Sequence, residues 1–364
     1  MQVCILGLPQ SGKTTLFNAL TRGKIETVPA SHLTPNIGIS KVQDPRLTIL
    51  ENIFKPKKKT LAEIKYIDIA AAAKTRAKED GIYGPFLNYL NNADALIQVV
   101  RAFEDEKIPH VHGKLDPRRD AADMDLELIF SDLVIIERRL GRIELGLKAA
   151  KPSERENLLK EVTLLQRIKN ALEKEVPIWK QGLTQEEISS LSNYQFLTAK
   201  PMLIVLNIGE EQIAKAMQIE SDFRSIYSFK LFEVIAVCAK LEMELSQIDD
   251  LEAEDFRNSM GLKSSAIDLI ISKSYSLLEL ISFFTVVSSE LKAWTIRRYS
   301  TALEAAGKIH TDIQKGFIKA EVISYADLNK YGGVAEVKKA GLLRLEGKSY
   351  IVQDGDIITF LFNI

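Results

Sequence analysis

The chain has 364 residues, 46% of them hydrophobic and 27% charged, so it can bury a large core and is not disordered as a whole. Its 48 basic and 49 acidic side chains give a net charge of -1, which excludes binding to nucleic acid by overall charge, and we expect no DNA partner. Two cysteines are too few for a disulfide framework, and no apolar run is long enough to span a membrane. With an N-terminus unlike a signal peptide, these features predict a cytoplasmic protein of two or three domains.

Short apolar runs alternate with helical stretches in the first part of the chain. A strand over residues 3–6 is followed by a predicted helix over residues 13–20. Further strands are predicted at 64–68, 95–100, 202–206 and 234–237. Strands separated by helices indicate an α/β fold with a mostly parallel sheet and helices on both faces.

Residues 121–199 interrupt this pattern and are predicted to be an antiparallel coiled-coil insertion. The first helix has an apolar seam with alternating spacings of three and four, formed by Leu126, Ile129, Leu133, Ile136, Leu140, Ile143 and Leu147. Pro152 stops that helix, and Ser153 with Glu156 predicts a capping box for the second. The second seam consists of Leu158, Val162, Leu165, Ile168, Leu172 and Val176. An ordinary pair of core helices is the alternative.

The C-terminal part is predicted to be a small α+β domain. A polar stretch at 249–265 indicates a boundary, and a helix is expected near 267–284. Strands are predicted at 320–323, 349–352 and 357–362, with a turn at 353–356 and a helix from 327 to 340 that Gly341 ends. The predicted domains are therefore 1–120 with 200–280, the insertion 121–199, and 281–364.

The most informative motif is G-x-x-x-x-G-K-T, a phosphate-binding loop (P-loop) between the first strand and the first helix. Its backbone N–H groups and the helix N-terminus favour phosphate oxygens, Lys13 would reach the β- and γ-phosphates, and the Thr14 hydroxyl would coordinate Mg²⁺. Asp68 ends a strand and would hold the Mg²⁺ shell, with a helix-capping role as the alternative. The predicted phosphate-binding residues are Gly7, Leu8, Pro9, Gln10, Ser11, Gly12, Lys13, Thr14 and Thr15.

Residues 207–210 read N-I-G-E, at the position where GTPases carry the guanine-reading N-K-x-D. The longer Glu210 carboxylate does not fit the place of the aspartate and should not read adenine directly. Asn207 can contact N6 and N7 of adenine, and Ile208 can cover the base, while a plain loop asparagine is the alternative. These features predict ATP as the ligand, with GTP possible. A second base-flanking segment is predicted at Cys238, Ala239 and Lys240.

In this order the motifs resemble the YchF (Obg-like ATPase) subfamily of P-loop GTPases over nearly the whole chain. The resemblance is carried by GLPQSGKTT, DIAAAA, NIGE, VCAK, Pro45-Arg46-Leu47 and a tail similar to the ubiquitin-like TGS domain. It implies slow ATP hydrolysis with Mg²⁺, ATP preferred over GTP, and association with the ribosome or ribosomal RNA. It also gives His110 the position of the family's candidate catalytic histidine, which could accept a bond from the attacking water. A structural or solvated histidine is the alternative.

Several positions depart from the family pattern. Ala71 stands where a glycine senses the γ-phosphate, and Ser31 or Thr34 would have to replace the Mg²⁺-binding threonine of the first switch. These changes keep open a second function, a nucleotide-bound interaction module with little or no hydrolysis. A small-molecule kinase is disfavoured because no acceptor-binding motif is visible. Four histidines and two cysteines show no zinc spacing, and the basic run 55–59 is either a solvated loop or an RNA contact.

Overall fold

The computed structural model describes residues 1–23, 34–69, 86–148, 150–227, 231–262 and 264–363. The chain forms two compact units. The larger unit comprises Gln2–Gly38 and Lys65–Ile267, and the smaller unit comprises Met1, Ile39–Ile64 and Asp268–Ile364. This division differs from the predicted domain boundaries, because residues 39–64 group with the tail and the helical insertion groups with the first sheet. The three-domain division stays a prediction.

The first sheet has six strands, and its central strands bury their apolar side chains on both faces. They are β1 (Gln2–Leu6), β2 (Asn36–Val42), β4 (Ala62–Asp68), β5 (Ala95–Arg101), β6 (Met202–Asn207) and β7 (Phe232–Val237). Their order is β2-β4-β1-β5-β6-β7, and the pairs joining β4, β1, β5, β6 and β7 are parallel. Every residue of β5 and β6 is buried, as expected for central strands covered on both faces. All five strands predicted for this sheet are confirmed, and β2 was not predicted.

Helices and short 3-10 turns connect these strands. The helices of the larger unit are α1 (Lys13–Thr21), α3 (Leu87–Asn91), α4 (Pro117–Leu147), α5 (Pro152–Leu172), α6 (Gln185–Leu191), α7 (Ala216–Arg224), α8 (Ala239–Leu245) and α9 (Asp250–Ser259). The 3-10 turns are Ile178–Lys180, Ser192–Tyr194, Leu197–Ala199 and Glu210–Lys215. The sheet, its flanking helices and the first turns of α4 share one apolar core.

The predicted helical hairpin is formed by α4 and α5, which pack through a separate apolar cluster that also includes α6. Ion pairs between Arg139 and Glu161 and between Glu137 and Lys169 follow the antiparallel order of the two helices. Two details of the prediction are wrong. Leu126 is exposed rather than part of the seam, and α5 ends at Leu172, before Val176.

The predicted capping box at the start of α5 is also displaced. The helix begins at Pro152, and the Glu154 carboxylate accepts the backbone N–H of Lys151 (3.4 Å), while Glu156 pairs with Lys160 instead. Proline fits the first helical position because its missing N–H has no partner there and its fixed φ is already helical. The proline that was expected to block the first helix therefore opens the second.

The smaller unit has its own sheet and core. The sheet order is β11-β10-β12-β8-β9-β3, with β3 (Lys58–Thr60), β8 (Leu280–Val287), β9 (Glu290–Arg297), β10 (Phe317–Ile323), β11 (Arg344–Glu346) and β12 (Ile357–Phe362). The helices are α2 (Pro45–Phe54), α10 (Ala266–Leu277), α11 (Ala302–Ile309), α12 (Thr311–Lys315), α13 (Tyr325–Tyr331) and α14 (Val334–Lys339). Alanine, phenylalanine and branched aliphatic side chains of β8, β9, β10, β12 and α11 form most of its core.

The tail departs from the sequence prediction at three places. The helix predicted at 327–340 is split into α13 and α14, because Gly332 ends α13 in the left-handed conformation (φ 75°). The strand predicted at 349–352 is an isolated bridge between Ile351 and Thr301. The helix expected to reach residue 284 ends at Leu277, and its last predicted residues belong to β8.

The basic run at 55–59 contributes to β3 at the edge of this sheet, where it pairs in parallel with β9. Lys58 forms an ion pair with Glu290 (3.0 Å), and Lys59 pairs with Glu51. Part of the positive charge of this run is thus balanced within the smaller unit. No helix in the described ranges combines the length and the apolarity that crossing a lipid bilayer requires.

Candidate functional site

The predicted site residues lie at the carboxyl edge of the first sheet. In the parallel registers, Ile5 is level with Asp68, and Asn207 is level with both Arg101 and Val237. The P-loop follows β1, and the segment 238–240 follows β7, so each begins where its strand ends. Ligands of open α/β sheets bind at this edge because the loops after the strands converge there.

The P-loop depends on unusual backbone conformations. Gln10 and Gly12 have positive φ angles of 63° and 94°, which turn the chain sharply before α1 begins at Lys13. A Cβ atom on Gly12 would lie 2.1 Å from the Asn207 amide nitrogen, and one on Gly7 would lie 2.3 Å from the Val99 carbonyl oxygen. Only glycine fits these two positions. Pro9 and Gln10 are exposed, whereas Leu8, Thr14 and Thr15 are half-buried.

Lys13, Thr14 and Asp68 come together beside this loop. The Lys13 ammonium donates to the Leu8 carbonyl (2.8 Å), and the Thr14 hydroxyl donates to Asp68 Oδ2 (2.8 Å). Burial lowers the pKa of Lys13 to about 8, although the charge of Asp68 acts in the opposite direction. A buried positive charge that no carboxylate of the described residues contacts directly is well suited to receive an anion.

The same neighbourhood fits a divalent cation. The other oxygen of Asp68, Oδ1, is buried and has no hydrogen-bond partner among the described residues, and the same holds for the Ser11 hydroxyl. A hydroxyl and a carboxylate already in contact, with one carboxylate oxygen unused, form the hard oxygen donor set that Mg²⁺ prefers. Thr14 and Asp68 would therefore hold Mg²⁺ beside the nucleotide phosphates.

Asn36 is a site residue that the sequence prediction missed. Its side-chain amide donates to Asp68 Oδ2 (3.2 Å), the same oxygen that accepts from Thr14. Asn36 begins β2 and is separated from Asp68 by 32 residues. The sequence signal for it is a polar residue directly after the first switch and at the start of a strand, and that signal does not name its partner.

Asn207 has a different environment from the one expected of a base-reading residue. Its Nδ2 donates to the Ser11 carbonyl (2.9 Å), and its Oδ1 accepts the Ala239 backbone N–H (3.1 Å). The residue is only 5% exposed. Because both ends of the amide are engaged, the geometry favours Asn207 as a brace between the P-loop and the segment 238–240 over the predicted contact with adenine.

The remaining base-site residues divide into buried and exposed ones. Ile208 is part of the apolar core and is not available to cover a base, in contrast to the prediction. Cys238 is buried next to the core, and burial raises the pKa of its thiol. Glu210 and Lys240 are exposed and form an ion pair (3.1 Å), which raises the pKa of Lys240. This pair bridges the two predicted base-binding segments.

His110, the predicted catalytic residue, has both ring nitrogens engaged. Its Nδ1 accepts the His112 backbone N–H (3.1 Å), so Nε2 carries the proton that it donates to Asp120 Oδ2 (2.7 Å). An imidazole held in this way has no lone pair left for a water molecule. The arrangement favours the structural alternative, and a catalytic role would require the ring to leave these partners.

Two of the predicted departures lie outside the described residues. These are Ala71 in the segment after Asp68 and Ser31 in the first switch. Thr34, the other proposed replacement for the switch threonine, is described and exposed. The effect of Ala71 on γ-phosphate sensing therefore stays a prediction.

Two family models match the chain. A model described as "50S ribosome-binding GTPase" matches residues 2–131, which include the P-loop and Asp68. The model YchF-GTPase_C, described as a protein of unknown function, matches residues 280–363. The first covers the start of the larger unit together with residues 39–64, and the second lies within the smaller unit.

Similarity to known proteins extends over the full length. The chain is 40% identical to a protein named "Ribosome-binding ATPase YchF" of Bacillus subtilis over 364 residues, which is 99% of this chain and 98% of that protein. It is 38% identical to the protein of the same name in Haemophilus influenzae, with the same coverage. The chain belongs to the YchF family. The resemblance inferred from the motifs is thereby confirmed.

Solved structures agree with the fold of this YchF-family chain. The YchF GTPase of Schizosaccharomyces pombe superimposes with a TM-score of 0.85 at 29% identity, covering 99% of this chain and 97% of that one. A GTP-binding protein of Pyrococcus horikoshii superimposes with a TM-score of 0.61 at 20% identity over the whole of both chains, which bears on the fold alone. The predicted α/β P-loop fold with a C-terminal α/β domain is confirmed.

Proposed function

We propose that this chain is a slow Mg²⁺-dependent ATPase that binds the ribosome and prefers ATP to GTP. The observation that carries the proposal is the contact of Thr14 with Asp68 beside the buried ammonium of Lys13. These three groups supply a metal site and a phosphate-binding cation at the end of a P-loop. The names of the family relatives, which are ribosome-binding ATPases, support the same function.

In this proposal the protein binds and orients the nucleotide mainly through the P-loop. The Lys13 ammonium leaves the Leu8 carbonyl and contacts phosphate oxygens, while backbone N–H groups at the start of α1 point at the same anion. Mg²⁺, held by Thr14 and Asp68, would neutralise charge on the phosphates. Asn36 keeps the Asp68 carboxylate oriented, and Asn207 keeps the P-loop beside the base segment.

The preference for ATP is supported by the state of the Glu210 carboxylate. Guanine presents two N–H donors to a carboxylate, as in N-K-x-D proteins, and Glu210 would have to provide the acceptor. In this chain Lys240 holds that carboxylate in an ion pair, which reduces its capacity to accept from guanine. Asn207 is engaged as a brace and occupies the Ala239 backbone N–H, so adenine would be bound chiefly by the backbone groups of 238–240 that this bond leaves available.

The ribosomal partner is supported by the relatives and by the description of the first family model as ribosome-binding. Ribosomes work in the cytoplasm, so we place the protein there. With a net charge of -1, binding to ribosomal RNA would rest on local basic surfaces and should weaken with salt.

A second candidate is a nucleotide-bound interaction module that hydrolyses little ATP. One observation favours it, namely that both ring nitrogens of His110 are engaged with Asp120 and His112. Without another group to orient the attacking water, nucleotide would persist in the bound state and act as a structural ligand. This candidate shares the site and differs only in turnover.

The two candidates are separated by titrating the full chain with ATP and GTP and by measuring phosphate release with and without ribosomes. The ATPase proposal expects tighter binding of ATP and slow release of phosphate. Tight binding with no release under either condition favours the interaction module, and tighter GTP binding contradicts the ATP preference. Lys13→Ala should abolish nucleotide binding in both cases, whereas Lys160→Ala, which removes an exposed ammonium from α5, should leave it unchanged.

A further inference from the structure

Two histidines and two aspartates meet where the loop after β5 joins α4. His110 and His112 lie in the loop, and Asp120 and Asp123 lie three residues apart in the first turns of α4. Residues at this spacing share one face of a helix. The loop is held from its other side by Arg101, which donates to the carbonyl oxygens of residues 103, 105 and 108.

His112, Asp120 and Asp123 place three possible ligand atoms together. One ring nitrogen of His112 and one oxygen from each carboxylate lie within 4.8 Å of one another, and His112 Nε2 is 3.0 Å from Asp123 Oδ2. Ligands of a bound transition ion lie about 3 to 3.5 Å apart. The ligand atoms therefore need to move only slightly closer to one another to bind an ion. His112 and Asp123 are about a third exposed, so both side chains can rotate to bring their ligand atoms together.

Asp120 is the fixed member of this group. Its side chain is 4% exposed, its Oδ2 accepts from His110 Nε2 (2.7 Å), and its Oδ1 accepts from Arg119 (2.8 Å). Outer hydrogen bonds of this kind orient a metal-binding carboxylate before the ion arrives. The two carboxylates of Asp120 and Asp123 carry more negative charge than the one guanidinium of Arg119 offsets, so a divalent cation is attracted even though it shares Asp120 with Arg119.

We propose that His112, Asp120 and Asp123 bind a divalent first-row transition ion of the zinc class, and that His110 is a positioning residue that orients Asp120. An imidazole nitrogen among the ligands favours such an ion over Mg²⁺, which prefers an all-oxygen set. Water would occupy the other coordination positions, because the site opens to solvent through His112 and Asp123. The site shares no residue with the Thr14 and Asp68 pair and goes beyond the proposed ATPase function.

The test uses the nucleotide-free full chain with Zn²⁺ in calorimetry and Co²⁺ as a visible-absorption probe. The wild type should bind one ion per chain with an imidazole-ligated Co²⁺ spectrum, and equal Mg²⁺ should not displace it. His112→Gln and Asp123→Asn should each weaken Zn²⁺ binding at least about tenfold. Both side chains are exposed enough for the variants to fold, which circular dichroism verifies. His110→Ala should weaken binding by about tenfold and leave the imidazole signature in place.

Matched controls come from the other histidines. His310 and Asp312 form an exposed pair (3.3 Å) without a third ligand group near them among the described residues, so His310→Gln should bind Zn²⁺ as the wild type does. His32→Gln tests the one histidine that lies outside the described residues. The proposal is overturned if the wild type binds no better than His112→Gln, if Mg²⁺ competes equally, or if a control variant loses the ion as His112→Gln does.

Discussion

Lys13 carries its charge in a buried position, and this makes its protonation sensitive to the nucleotide. The pKa of Lys13 is about 8, below its ordinary value of 10.5, because burial disfavours the ammonium. The folded state therefore loses this proton more readily than the unfolded state. Below pH 8 the folded state holds a buried charge, which lowers the free energy of unfolding. This penalty is relieved as the pH rises from 8 to 10.5, so the contribution of Lys13 to the free energy of unfolding increases with pH across that window.

Phosphate binding should reverse this effect. An anion beside Lys13 favours the ammonium, so at pH 8 the complex should take up roughly half a proton on binding ATP. Calorimetry in buffers of different ionisation enthalpy measures the uptake as a buffer-dependent heat. The uptake should disappear near pH 6.5, where Lys13 is already charged. Equal heats in all buffers at pH 8 would show that the Lys13 pKa does not change on binding.

The amide of Asn207 gives a second prediction at the residue scale. Asn207→Ala removes hydrogen bonds to Ser11 and Ala239, and at about 1 kcal/mol each this weakens ATP and GTP binding alike, by roughly 30-fold. Parallel titrations with both nucleotides measure the two losses. A loss confined to ATP would instead mean that Asn207 reads adenine. Glu210→Gln, which leaves the brace intact and breaks only the pair with Lys240, is the matched comparison and should change the ATP-to-GTP ratio.

At the scale of elements, one buried carboxylate joins α4 to the segment that leads into β6. Asp132 of α4 is fully buried and accepts from the backbone N–H groups of Leu197 (2.7 Å) and Thr198 (2.9 Å) and from the Thr198 hydroxyl (2.6 Å). The segment it holds leads into β6, which ends at Asn207. The position of α4 and the start of a strand that carries the site are thus fixed by the same contact.

Removing this carboxylate should loosen the insertion. Asp132→Ala leaves two buried N–H groups without a partner, which should lower the free energy of unfolding by about 3 kcal/mol. Urea unfolding followed by Trp179 fluorescence, with Trp294 replaced by phenylalanine, measures the loss. Ser131→Ala is the control, because among the described residues the Ser131 hydroxyl bonds within its own helix, to Glu127. Equal stability of the two variants would argue against Asp132 as an anchor.

Element boundaries also show where local sequence rules reach their limit. Five strands of the first sheet and the P-loop follow from contiguous residues and were predicted well, whereas the edge strand β2 was missed. The start of α5 and the break after α13 each depend on which of two local signals prevails. Helix α5 begins at Pro152 and does not use Ser153 as its cap, and Gly332 ends α13 although the helical pattern continues beyond it. Propensity alone does not rank such signals, because packing of the flanking segments contributes to the choice.

At the scale of the whole molecule, Arg46 joins segments of the smaller unit that are 308 residues apart. Its guanidinium bonds to Asp44 (2.8 Å) and Asp354 (2.8 Å) and lies over the Phe284 ring at 5.2 Å. Asp354 in turn accepts the backbone N–H of Ser282 (2.9 Å). The N-terminus of α2, the turn before β12 and strand β8 are held by this one side chain.

Loss of Arg46 should therefore destabilise the smaller unit. Arg46→Ala leaves two carboxylates facing each other without a cation, and we expect a loss of about 2 kcal/mol in the free energy of unfolding. Trp294 fluorescence in a Trp179→Phe background reports on this unit. Arg46→Lys should recover only part of the stability, because a lysine cannot bond to both carboxylates through a planar group. Arg298→Ala, at an exposed position, should have little effect, and an equal loss there would contradict the argument.

The sequence by itself determined the P-loop, the parallel sheet, the helical hairpin and the family, because each rests on residues that are neighbours in the chain or repeat with a regular period. Only the tertiary structure decided which groups face each other: Asn36 with Asp68, Asn207 with Ser11 and Ala239, His110 with Asp120, and Arg46 with Asp354. It also brought carboxylates to His112, which a search for histidine and cysteine spacing could not find. The physical reason is that a hydrogen bond or a metal ligand depends on distance in space, and folding brings together residues that the sequence separates by tens or hundreds of positions.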